Sequence, residues 1–128
     1  MSRNKIPPEG ELLIEWQRRL GMQDWAIVLH VNCDPQAMAM SDSEGCTVWD
    51  ESTKSASIQI ADPDKLDDLV RKFDFEEVLV HELLHLKTTL LSSKESDAIE
   101  ERVLHILIDD LARALIDARR APYKETQQ

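Results

Sequence analysis

Two cysteines, Cys33 and Cys46, are all the thiols this chain of 128 residues has, and no CxxC spacing joins them. That excludes a thiolate metal cluster and a disulfide framework, and both are read as small apolar fillers. No apolar run approaches the roughly 20 residues that a membrane helix needs. The N-terminal MSRNKIPPEGELL has no apolar core of the kind a secretory signal carries. A cytoplasmic chain with no membrane partner is therefore expected. Basic clusters are missing as well: Lys and Arg never gather beyond pairs such as Arg18-Arg19 and Arg119-Arg120. Fifteen basic against twenty-five acidic residues leave a net charge of −10, which repels phosphate backbones, so no nucleic-acid partner is expected. Internal repeats and low-complexity segments are absent too.

What is present reads as one domain over 1–128, with a core over about 10–119 and a loose polar tail over 120–128. Leu12, Leu13, Trp16 and Leu20 recur at helical spacing after Pro7-Pro8, and Gly21 is placed to stop that helix. In DWAIVLHV, Trp25, Ile27, Leu29 and Val31 alternate as a strand does. GCTVWD and SASIQIA flank the polar turn ESTK and read as an antiparallel hairpin. From Pro63 to about Leu91 the pattern is helical, with a break near 72–74. Ser92 and Glu95 have capping-box spacing, which predicts a last helix from there to about Arg119. The expected class is α+β: an N-terminal helix, a small three-stranded antiparallel sheet, then helices.

Against this ordinary background stands EEVLVHELLHLKT, residues 76–88. Two histidines and a glutamate interrupt a run of Val and Leu, and buried polar groups need partners. His81 and His85 are four apart, so on a helix their rings project from one face. Glu82 completes H-E-x-x-H, in which two imidazoles bind zinc and the glutamate serves as general base. A catalytic zinc site takes three protein ligands and keeps one position open. The later histidine of HExxHxxGxxH is missing: Thr88 and Leu91 stand at its key positions. The next candidates are Glu100, Glu101 and His105. The chain climbs about 9 Å from His85 to Leu91 and can descend as far from Ser96, which returns this segment to the level of His85. On a helical wheel Glu100 lies mid-stripe with Leu107, Leu111 and Ala114, and Glu101 lies at its edge; the wheel leaves both open.

HELLH at 81–85 followed by EERVLH at 100–105 resembles the gluzincins, zinc metallopeptidases with a glutamate helix, in their minimal, single-domain, phage or repressor-cleaving form. The resemblance covers roughly residues 10–119. In that group the liganding glutamate is followed four positions later by a polar residue that orients a ligand. This implies His81, His85 and Glu101 as zinc ligands, with His105 hydrogen-bonding behind them and Glu82 catalytic. It also implies a zincin-like fold, a peptide or protein substrate, and a sheet edge that pairs with an extended peptide, a role SASIQIA would fill. The chain departs from the family at the oxyanion partner, usually a Tyr or His: Tyr123 lies in the tail and His30 in a strand. The alternative is a zinc-stabilised binding or regulatory module that keeps the peptidase architecture with little turnover. The tail could also fold over the cleft and hold the enzyme latent. Trp16, Trp25 and Trp49 are read as core or half-buried anchors, and Met38 and Met40 as packing under a loop. The acidic pairs 67–68, 76–77 and 109–110 read as solvated faces, with Glu76 and Asp109 within reach of the metal's outer sphere.

Overall fold

A computed structural model describes residues 8–40, 43–66, 72–89 and 97–121. Helix α1 spans Glu9–Arg19 and buries Leu12, Leu13 and Trp16. Acidic residues in its first turn and Arg18 and Arg19 in its last suit the helix dipole. It gives way to Gly21, whose φ of +69° is the left-handed conformation that glycine tolerates at a helix end. Three strands follow, β1 (Ala26–Cys33), β2 (Gly45–Asp50) and β3 (Ser55–Ala61), then helices α2 (Phe75–Lys87) and α3 (Ala98–Arg120).

The class is α+β as expected, but the sheet is mixed, with strand order β1-β3-β2. β2 and β3 form the antiparallel hairpin, whereas β1 runs parallel to β3, Ala26 facing Ser55 and Leu29 facing Ile58. Two expectations are thereby corrected. The sheet is not antiparallel throughout, and SASIQIA is the central strand. Its backbone is already paired on both sides, which leaves nothing for a peptide to pair with. The cause is the connection after β1, which crosses the sheet's outer face, where the Ala39 amide donates to Gln59 Oε1 at 2.9 Å. A parallel neighbour needs a crossover of this kind, and β2 is thereby carried to the edge.

The alternation of β3 supplies the core floor. Ala56, Ile58 and Ile60 are buried under α2, and Ser55, Ser57 and Gln59 face the other side. α2 lies between that floor and the other two helices, so Leu79, Val80, Leu83 and Leu86 are all at most 1% exposed. A helix covered on nearly every side reads as a continuous apolar run, as this one does. α3 adds only a narrow stripe, Ile108, Ala112 and Ile116. The predicted onset of α3 at Ser92 lies outside the described residues; the described helix begins at Ala98, where the Asp97 side chain accepts from the Glu100 amide.

One buried carboxylate ties the three helices together. Glu76, 1% exposed, accepts from Trp16 Nε1 of α1 at 2.7 Å and from Arg119 and Arg120 of α3. Burial pushes its carboxyl upward, but hydrogen bonds from Arg119, Trp16 and Arg120 outweigh that and hold it below the ordinary glutamate range. Glu76 is thus a structural anchor and not an outer partner of a metal. Among the described residues no helix is long and apolar enough to cross a membrane.

Candidate metal centre

α2 starts firmly: Asp74 accepts from the Glu77 amide at its N-cap, and the helix runs unbroken through both histidines. One turn apart, His81 and His85 bring their Nε2 atoms to 3.0 Å. α3 packs along α2 and delivers a third imidazole. His105 has its ring centroid 4.7 Å from that of His85 and 5.6 Å from that of His81. One donor atom from each of the three rings lies within 4.8 Å of the others. Donors about 2.1 Å from a shared tetrahedral ion stand roughly 3.4 Å apart, so this set fits zinc with small ring movements.

The protonation pattern suits ligation. Burial, followed by the charges of His81 and His105, pushes His85 down to about 4, so its ring is neutral near pH 7. His81 Nδ1 lies 2.7 Å from Asp109 Oδ1. A carboxylate there keeps the proton on Nδ1 and turns the Nε2 lone pair toward the other rings. Asp109 follows His105 by one turn of α3. Glu101 precedes His105 by one turn, and its negative charge acts on His85. The gathered donor set thus has His105 in the place the resemblance gave to Glu101, and Asp109 in the orienting place it gave to His105. Glu100 is exposed at the start of α3.

Glu82 is 6% exposed, with Oε1 held by the Thr47 hydroxyl at 2.6 Å. Burial raises its carboxyl, opposed by the Thr47 hydrogen bond and by His81 and His105. The approach of β2 to α2 depends on Gly45, where an added Cβ would stand 2.7 Å from Val78 Cγ1 and 3.3 Å from Glu82 Oε2. Only glycine lets the strand come this close.

These groups line one cleft of about 600 Å³. One wall is β2 from Gly45 to Trp49, the floor is α2 from Glu77 to His85, and the far wall is His105 and Asp109. Comparison with protein-family models, curated proteins and solved structures gives no match. Function is therefore read from the geometry of the cleft.

Other predicted residues find their places here. Trp16 is a core anchor and Trp25 packs against the core, while Trp49, 43% exposed, lines the cleft. Met38 is buried and Met40 lies open at the cleft. His30 is exposed on β1 and is not among the cleft's lining residues. Tyr123, and with it the latent-tail idea, lies outside the described residues, as does the pair 67–68. Thr47 and Gly45 escaped the sequence reading. One of only three glycines in the chain, placed at a strand's first residue, was the available signal for a close backbone approach.

Proposed function

We propose that this chain is a zinc-dependent peptidase with a zincin-like layout, in which His81, His85 and His105 hold the metal. The observation that carries the reading is three imidazoles from two helices gathered beside a buried glutamate, all facing one cleft. Bound there, zinc would polarise a substrate carbonyl and make a water molecule nucleophilic near neutral pH. Asp109 holds the His81 tautomer. Glu82 takes the proton from the attacking water and passes it to the leaving amine, and its raised pKa suits both transfers. Thr47 fixes one oxygen of Glu82 and leaves the other to face the reacting groups. The substrate backbone lies along β2, whose outer edge pairs with no strand among the described residues. Edge pairing recognises main chain more than side chain, so an extended or unfolded segment is the expected substrate.

Glu82→Gln tests this reading. Zinc content and melting temperature should match the parent, while cleavage of an unfolded protein should vanish. Cleavage that persists in the variant would refute the role of Glu82. A parent that binds zinc without cleaving would favour the second reading, a zinc-stabilised binding or regulatory module. One observation favours that reading: no tyrosine lines the cleft among the described residues to stabilise an oxyanion. A parent that holds no zinc would end both.

A further inference from the structure

The outer face of α3 is the largest apolar feature that the fold leaves unused. Ile99 is 74% exposed, Val103 59% and Ile106 54%, and beside them Leu107 and Leu111 are exposed by 49% and 42%. No described residue buries them. Together they present roughly 500 Å² of open apolar side chain, the size at which a surface patch is commonly an interaction site.

The pattern on this face is that of a helix pair. Leu104, Leu107, Leu111, Ala114 and Ala118 follow one another at intervals of 3, 4, 3 and 4 residues, the seam spacing of packed helices. The seam also tapers. Its first half is bulky, from Val103 to Leu111, and its second half is small, Ala114 and Ala118, both exposed. A bulky half and a small half are complementary when the same helix is laid against itself head to tail. Charge agrees with shape: the first turn of α3 carries Glu100 and Glu101, and the last turn Arg119 and Arg120. An antiparallel pair sets acidic ends beside basic ends and opposes the two helix dipoles. Pairing would cover about 1,000 Å² from both copies, the lower bound for a specific interface.

The geometry points to a second copy of this chain as the occupant, packed α3 against α3 about a two-fold axis near residues 110–111. Leu107 then meets Leu111 of the other copy, and Val103 meets Ala118. The cleft lies on another side of α3, reached through His105 and Asp109, so both clefts stay open.

Sedimentation equilibrium on the full chain reads this directly. The parent should show twice the 14.7 kDa of one chain, and Leu107→Glu with Leu111→Glu should halve that mass while the circular dichroism is unchanged. A parent of single mass at millimolar concentration overturns the proposal, whatever else covers the face. So does a double variant that keeps the doubled mass. A cross-linking arm does not depend on the folding of the double variant. In a Cys33→Ser background, Val103→Cys and Ala118→Cys chains should form a disulfide with each other when mixed, and neither with itself. The two positions are about 22 Å apart along one helix, so the bond cannot close within a chain. Self-linking of Ala118→Cys would mean parallel packing and would overturn the antiparallel assignment.

Discussion

His85 takes a proton only in acid, because burial and two neighbouring imidazoles push its pKa down to about 4. A ring kept neutral in this way already offers the lone pair a metal requires, so its desolvation is offset when an ion is held. Which side chain completes the set is a question about single atoms. His105→Ala should remove most bound zinc, whereas Glu101→Gln should leave the stoichiometry near one, both read by elemental analysis of purified protein. The reverse pattern would restore the glutamate as ligand. Asp109→Asn should weaken zinc binding by about 10- to 100-fold, because the His81 ring loses the acceptor that fixes its tautomer. Thr47→Val keeps the shape of the side chain and deletes its hydroxyl. It should lower kcat with little change in KM, and Thr47→Ser should restore it; equal rates in all three would remove Thr47 from the mechanism.

At the scale of elements, the sequence disclosed what is local and concealed what is not. HELLH on a helix, the hairpin around ESTK and the stop at Gly21 depend on neighbours within a few residues, and each lies where its pattern puts it. The parallel pairing of β1 with β3 depends on how the chain crosses between strands, and no periodicity within AIVLHVNC encodes a partner. The shift of one turn from Glu101 to His105 has the same origin. Both fit an i, i+4 pair on α3, and only the packing of α3 against α2 selects between them. Gly45 shows the constraint from the side of packing. Gly45→Ala forces the β-carbon onto Val78 and should destabilise the fold by about 1–3 kcal/mol in urea unfolding, the usual cost of overpacking. A stability equal to the parent's would mean that β2 can retreat from α2 at no cost.

For the whole molecule, stability should depend on acid through the carboxylate that joins the three helices. Glu76 and Asp74 both titrate below their ordinary values, Glu76 against burial and through Arg119, Trp16 and Arg120, and Asp74 chiefly through Arg120. A carboxylate depressed in the folded state contributes fully above the unfolded pKa, near 4, and that contribution fades as pH falls toward the folded values. Melting temperature should thus be flat from neutral pH down to about 5 and drop below about 4. Glu76→Gln should flatten most of the acid drop while lowering the neutral-pH melt, since Arg119 then keeps its charge without its partner. The metal adds a second, separable dependence. An ion held by His81 and His85 of α2 and His105 of α3 clamps two helices that otherwise meet along a narrow stripe. Zinc at 100 times its Kd should add about 2.7 kcal/mol to the parent. A chelator should remove that increment, and His85→Ala should melt at one temperature with or without it. If the chelator leaves the parent's melt unmoved, the three imidazoles are not a metal site and the clamp does not exist; the acid response of Glu76→Gln would be unaffected, because the anchor and the clamp lie at different points along α2.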